Sequence, residues 1–376
     1  MSGQPIIGVV GLGVMGLGIS QVFAQAGFSV RATDQQPTLL GSAAARFNEL
    51  LVVRVKSGKL ADNSRSAMTE KFSVVSDITG LGTAALVIEA IVEDIHAKQN
   101  LFAALEKVVD PSTILASNTS SLSITELAHH LSHRQRFLGM HFFNPAPVMK
   151  LVELVPHAET DAEAVALARH LAETSGKTVI TCADRPGFIV NRCTRPFYGE
   201  ALALLEEGRT ASEIDSAMLQ AGYRMGPLSL IDLVGSDINL AATKGLAAAM
   251  HNHPRYYVFK ALQEQVAHGN LGRKSGRGFL FPDLPGPPPA DAQKIALRIQ
   301  AVLVNEAASL LGEGSVDELD IDTALKLGLN FPSGPFEAAR AIGFDQIRSE
   351  LSALEVVAPS HLKGRYVLLP ALESLA

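Results

Sequence analysis

Short continuous apolar runs and amphipathic segments alternate through the first half of the chain. Ile6 to Val10, Ser29 to Thr33, Ala85 to Ala90, Thr113 to Ser117 and Phe137 to Met140 have the length and composition of strands. Between the third and fourth lies Asp94 to Val108, whose spacing predicts a helix burying Ile95, Leu101, Leu105 and Val108. Strands apolar on both faces and separated by helices predict a parallel sheet covered on both sides. From about Pro186 the strand signals fade, and Val190 to Glu207 and Ala211 to Gln220 read as helices. An α/β domain over residues 1–184 is therefore expected, with a boundary at Asp184 to Gly187.

Pro282, Pro285, Pro287, Pro288 and Pro289 place five of the 19 prolines in 282–289, which predicts an extended linker without helix. Its two sides show a degenerate repeat. Glu200-Ala201 aligns with Glu306-Ala307, Ile214-Asp215 with Ile321-Asp322, Gly226-Pro227 with Gly334-Pro335, and Asp237 with Asp345. The offset drifts only from 106 to 108, as a duplicated helical unit with single-residue indels would give. Two related all-α domains are expected, over 185–281 and 290–376. The second should be shorter and lack the Asn191-Arg192 segment, leaving chemistry to the first.

Length and charge narrow the class. At 376 residues the chain exceeds what one core usually holds, and 47% hydrophobic content excludes a disordered chain. A net charge of -6 gives no general attraction for nucleic acid or an anionic membrane. Residues 1–30 carry no charged side chain but seven glycines, among them Gly3, Gly11, Gly13 and Gly16, a density foreign to a spanning helix or a signal peptide. Cys182 and Cys193 form neither a disulfide framework nor a metal cluster. His129, His130 and His133, and His251 and His253, read as helix-end and loop residues, so no metal is expected. A cytoplasmic location is the default.

Chemistry enters at the first turn. Ile6 to Val10 runs directly into Gly11-Leu12-Gly13-Val14-Met15-Gly16 and a helix-compatible segment, the order of a dinucleotide-binding turn. Gly11 allows the tight turn, Gly13 lets backbone approach a pyrophosphate, and Gly16 permits close helix packing. Backbone N–H groups and the positive helix end then hold the anion without a lysine. Asp34 stands 23 residues after Gly11 at the end of the second strand, where a carboxylate can accept ribose hydroxyls and repel a 2′-phosphate. NAD is favoured over NADP, and Arg31 is not placed as a 2′-phosphate receptor.

Two further segments sit at strand ends. Ser117-Asn118-Thr119-Ser120-Ser121 follows an apolar strand and reads as a ligand-binding edge or as helix capping. His141-Phe142-Phe143-Asn144-Pro145-Ala146-Pro147 follows another, and the next apolar run carries Glu153. A histidine beside a carboxylate can act as a base whose tautomer and charge the acid controls; a satisfied core histidine is the alternative.

These segments, with Asp184-Arg185-Pro186-Gly187-Phe188-Ile189-Val190-Asn191-Arg192, together resemble L-3-hydroxyacyl-CoA dehydrogenases over nearly the whole chain. Pro196-Phe197-Tyr198 and Leu271 to Phe279 look most like the bacterial 3-hydroxybutyryl-CoA and 3-hydroxyadipyl-CoA enzymes with two C-terminal helical domains. The resemblance implies a Rossmann-type doubly wound sheet followed by two helical domains like those of 6-phosphogluconate dehydrogenases. It makes His141 the general base, Glu153 its orienting partner, and Ser120 and Asn191 the groups holding the substrate oxygen. Glu93, Lys98, Asn118 and Lys274 match positions lining NAD, together with Gly11 to Gly16 and Asp34. The family's acyl-CoA arm rests on a helical hairpin after the second strand, where Arg54, Lys56 and Lys59 are the candidates for CoA phosphates, against a solvated helix end. Monomer and homodimer both remain open. A dehydrogenase of a free hydroxy acid on the same fold is the alternative activity, and a non-catalytic NAD-binding protein the alternative class.

Overall fold

Eight short strands and six helices build the first part of the chain: β1 (Ile6–Val10), α1 (Val14–Gln25), β2 (Ser29–Thr33), α2 (Pro37–Lys56), α3 (Asp62–Lys71), β3 (Phe72–Val74), β4 (Leu86–Glu89), α4 (Ile95–Leu105), β5 (Ile114–Ser117), α5 (Ile124–Ala128), β6 (Phe137–Phe142), β7 (Leu151–Pro156), α6 (Ala162–Thr174) and β8 (Thr178–Thr181). The structure, a computed structural model, describes residues 4–375, so Gly3 lies outside the described residues. The strands form one sheet in the order β3-β2-β1-β4-β5-β6-β7-β8. Every pairing is parallel except β6 with β7. Strand order reverses between β1 and β4, the crevice where doubly wound sheets bind ligands at the carboxyl ends of their strands.

The buried face of α4 differs from the sequence expectation. Lys98, Phe102 and Leu105 are buried, with Val109 continuing the stripe, while Ile95, Leu101 and Val108 are only half-buried. A lysine enters this core because a strand carboxylate meets it there, which hydropathy alone does not register.

Ten helices follow: α7 (Val190–Glu206), α8 (Ala211–Gln220), α9 (Pro227–Val234), α10 (Ser236–Ala249), α11 (Lys260–Ala267), α12 (Ala292–Gly312), α13 (Glu318–Leu329), α14 (Pro335–Ile342), α15 (Phe344–Val357) and α16 (Pro370–Ser374). The contacts divide the chain at Arg185/Pro186. Residues from Pro186 on form one compact unit, not two bodies separated at the proline-rich stretch, because α12 packs against α7 and α8 as well as α14, α15 and α16. Within that unit the repeat is structural. Asp215 accepts the N–H groups of Leu228 and Ser229 at the start of α9, and Asp322 accepts those of Phe336 and Glu337 at the start of α14. Gly235 and Gly343, both in a positive-φ conformation, join the next helix of each copy. Among the described residues one helix, α12, is long and apolar enough to cross a membrane by length and composition, and 67% of that stretch is buried inside the unit. Cys182 and Cys193 are both buried.

Candidate active site

The glycine turn gives each glycine a distinct task. Gly11 has φ +100°, and a Cβ there would lie 2.5 Å from the Ala90 carbonyl oxygen. A Cβ on Gly16 would lie 1.7 Å from the Gly11 carbonyl oxygen, so Gly16 is what lets α1 start against the turn. Gly13 has nothing within 4 Å of a Cβ, leaving open space over the turn. No side chain caps the start of α1, and its first turn holds no acid. Asp34 closes the turn from the end of β2: its carboxylate accepts Leu12 N–H at 2.7 Å and Gln36 N–H at 2.8 Å. Arg31 points elsewhere, its guanidinium donating to the Gly80 carbonyl and the Thr83 hydroxyl.

Beside the turn, β4 ends in a carboxylate that the sequence reading missed. Glu89 is fully buried and accepts Lys98 Nζ at 2.5 Å, the Ser117 hydroxyl at 2.7 Å and Ile91 N–H at 2.7 Å. Lys98 also lies 3.2 Å from Glu93, so Glu93 and Lys98 belong to a triad with a buried centre and are not an isolated surface pair. The available signal was an acid closing an apolar strand, nine residues before a lysine. Glu93 in turn organises the end of β5, accepting the Thr119 hydroxyl at 2.6 Å, Ser120 N–H at 3.0 Å and the Ser121 hydroxyl at 2.9 Å. Burial pushes Glu93 towards protonation, but Lys98 and these hydrogen bonds outweigh it and leave its pKa below the ordinary carboxylate value. The Asn118 side chain accepts Phe142 N–H at 2.8 Å, tying this loop to the end of β6.

His141 and Glu153 meet through strand register. They are direct partners in the β6/β7 antiparallel pair, where facing side chains start about 5 Å apart. His141 Nδ1 lies 2.7 Å from Glu153 Oε2, with Glu153 fully buried and His141 nearly so. A slip of one residue would turn the carboxylate to the other face of the sheet. The connecting turn is fixed from below by Lys177, which donates to the carbonyls of Ala146 at 2.5 Å and Met149 at 2.6 Å. Burial, with Arg54 nearby, lowers the Lys177 pKa to about 8.

The same turn walls a groove of about 490 Å³ lined by Val14, Gly18, Leu50, Val53, Arg54 and Pro147, among others. Lys56 and Lys59 are exposed at and beyond the end of α2 and do not line it. Two arginines do: Arg46, which donates to the Leu12 carbonyl, and Arg54, whose Nη2 donates to Gln25 while its buried Nη1 has no hydrogen-bond partner. In the second unit, Asn191 stands in the first turn of α7 and Lys274 is ion-paired to Asp237 on α10.

Strand order, an uncapped glycine turn and an acid at the end of β2 define a dinucleotide-binding α/β unit of the dehydrogenase type. The 3-hydroxyacyl-CoA dehydrogenase NAD binding domain matches residues 6–185, and the C-terminal domain of the same family matches 187–281 and 295–372. The chain belongs to the 3-hydroxyacyl-CoA dehydrogenase family. It is 33% identical to the 3-hydroxyadipyl-CoA dehydrogenase of Escherichia coli, covering 93% of each chain. A 3-hydroxybutyryl-CoA dehydrogenase of Mycobacterium tuberculosis is 41% identical over 73% of this chain and 96% of its own. The crystal structure of an Escherichia coli 3-hydroxybutyryl-CoA dehydrogenase superposes with a TM-score of 0.89 at 31% identity, covering 99% of this chain and 98% of that one. The residues present fit NAD: open space over Gly13, free approach to the start of α1, and carboxylate oxygens on Asp34 that each accept one N–H and keep further acceptor capacity.

Proposed function

We propose that this protein is an NAD-dependent L-3-hydroxyacyl-CoA dehydrogenase, interconverting the 3-hydroxyacyl and 3-ketoacyl thioesters of fatty-acid or aromatic-derived acyl-CoA β-oxidation. The observation that carries the reading is the hydrogen bond of 2.7 Å between His141 Nδ1 and the buried Glu153 carboxylate. With Glu153 accepting the Nδ1–H, Nε2 carries the lone pair and takes the proton from the C3 hydroxyl. Positive charge then develops on the ring against the carboxylate that already faces it. When bound, NAD would supply the acceptor for the hydride released from C3. Ser120 and Asn191 hydrogen-bond the C3 oxygen, so that proton and hydride leave along fixed directions. Glu93, Lys98, Asn118 and Lys274 would line the cofactor, and Asp34 would hold its adenosine ribose. In the reverse direction, His141 returns its proton to the ketone oxygen.

The pantetheine arm of CoA would lie along the groove lined by α2, and of the three candidate cations Arg54, Lys56 and Lys59 it is Arg54 that lines this groove, among residues that are largely apolar. The test is turnover of short 3-ketoacyl-CoA esters with NADH, followed by loss of nicotinamide absorbance, against the matching free keto acids. Rapid turnover of the CoA esters alone is expected. Flat absorbance with every ester would remove the assignment, and preference for a free acid would move the enzyme to a different substrate class. Substitution of Arg54 by Ala should raise KM for the CoA ester about tenfold at nearly unchanged kcat, as loss of uniform binding does.

A further inference from the structure

The two helical copies hold each other by mirrored ion pairs. Glu306 and Ser309 of α12, with Glu313 just past its end, together grip Arg192 of α7. Its Nε donates to Glu306 at 2.7 Å, its Nη1 lies 2.7 Å from Glu313, and its Nη2 donates to Ser309 at 3.0 Å. Arg255 lies 3.1 Å from Glu306, and the Tyr256 hydroxyl donates to it at 2.6 Å. Reciprocally, Arg298 of α12 donates to Glu200 at 2.7 Å and to Glu207 at 2.6 Å, while Arg365 and the Tyr366 hydroxyl donate to Glu200 at 2.9 and 3.0 Å. The pairs Arg192/Arg298, Glu200/Glu306 and Glu207/Glu313 each differ by 106 positions, and Arg255/Arg365 and Tyr256/Tyr366 by 110. The second copy therefore lacks the asparagine of the Asn191-Arg192 segment but does carry a counterpart of its arginine, Arg298. Burial works against the charge of Arg192, but Glu306, Tyr256 and Glu313 outweigh it and raise its pKa.

What the second copy does not repeat is the residue before that arginine. Asn191 has Leu297 as its counterpart. The approach to α7 also differs from that to α12. Gly187 and Phe188 have φ of +77° and +47°, and Arg192 N–H turns back to the Gly187 carbonyl at 2.9 Å. A left-handed phenylalanine is strained and persists only where its surroundings over-determine it. The corresponding Gln293 and Lys294 belong to the regular first turn of α12. The clasp is thus symmetric, while the bent segment it fixes, with its asparagine, occurs once.

We propose that Glu306 and Glu313 of the second helical copy are positioning residues for the dehydrogenase reaction: by fixing Arg192 they set the bent start of α7 and with it the amide of Asn191. This rests on the reading of Asn191 given above. The mirror symmetry supplies its own control. Glu313 and Glu207 are both partly exposed, at 32% and 48%, and each pairs with one arginine of the clasp, but only Glu313 acts on the segment carrying Asn191.

The experiment compares Glu313→Gln with Glu207→Gln in the full chain for kcat, KM for NAD, Tm and backbone amide exchange over residues 188–193. Glu313→Gln is expected to lower kcat about 10- to 100-fold, the scale of a displaced positioning group, with KM for NAD unchanged and amide exchange over 188–193 accelerated. Glu207→Gln is expected to retain wild-type kcat and exchange at a similar Tm. Equal kcat and equal exchange in the two variants would overturn the proposal. Glu306→Gln against Glu200→Gln repeats the comparison at the buried centre, and the exposed pair decides if either buried variant fails to fold. A wild-type chain inactive on every CoA ester defeats the functional reading instead; amide exchange then still decides whether Glu313 fixes this segment.

Discussion

At the scale of single residues, the proposed reaction rests on a proton acceptor, His141, hydrogen-bonded to a buried acid. His141→Gln retains a side chain of similar length without a titratable ring. It should lower kcat by about 10²- to 10⁴-fold, the usual contribution of a general base, while the Kd for NAD, measured by titration of the free protein, stays within about twofold. Unchanged turnover would take His141 out of the mechanism. Lys177 offers a test of burial instead. Its folded-state pKa is depressed to about 8, so below that pH the lysine is charged in both folded and unfolded chains and the burial penalty is constant. As pH rises from about 8 towards the ordinary lysine value, the folded chain releases the proton first, the penalty is relieved, and stability rises relative to a variant without the amine. The Tm of wild type minus that of Lys177→Met should therefore increase between pH 8 and 10. A constant difference would mean that the carbonyls of Ala146 and Met149 keep the ammonium protonated.

At the scale of elements, the glycine turn separates folding from cofactor binding. Gly16→Ala puts a methyl against the Gly11 carbonyl oxygen, whereas the same change at Gly13 meets nothing within 4 Å. Gly16→Ala should lower Tm by several degrees, the effect of an overpacked contact of roughly 1–3 kcal/mol. Gly13→Ala should leave Tm unchanged and still weaken NAD binding at least tenfold, because its methyl occupies the space needed by the pyrophosphate. Equal NAD affinity in Gly13→Ala and wild type would place the phosphates elsewhere. This turn was legible in the sequence because its glycines and Asp34 are local and regularly spaced. So were β1 and β2, whose apolar runs match the observed strands end to end. The antiparallel direction of β7 was not legible, since an apolar run has no direction, and neither was the side of α4 that faces the core. Lys98 is buried there by Glu89, a partner contributed by a different element. His141 and Glu153 could be singled out as chemistry, but their contact depends on pairing across a turn that composition does not fix. That Lys56 and Lys59 stand outside the groove was not legible for the same reason: charge is visible in a sequence, and the direction a helix end faces is not.

At the scale of the whole molecule, the second helical copy answers a problem that a single copy leaves open. Glu200 and Glu306 are both fully buried, and each meets two arginines and a tyrosine from the other copy. Removing the partners of a buried charge costs about 3–5 kcal/mol, so the two halves of the clasp stabilise each other only when both are present. The Mycobacterium tuberculosis relative aligns over 96% of its own length and 73% of this chain. In the present chain the complementary residues arrive on the same polypeptide, at an effective concentration that no second molecule has to supply. The clasp closes within one chain, and of the two states left open, monomer and homodimer, it favours the monomer. Light scattering coupled to size exclusion should return the mass of one chain across a hundredfold range of concentration. Glu306→Gln, if it opens the clasp, should shift that mass upward as the uncovered arginines find carboxylates on a second molecule. A wild-type mass of two chains at every concentration would show that another surface drives association, and that the clasp does not set the oligomeric state.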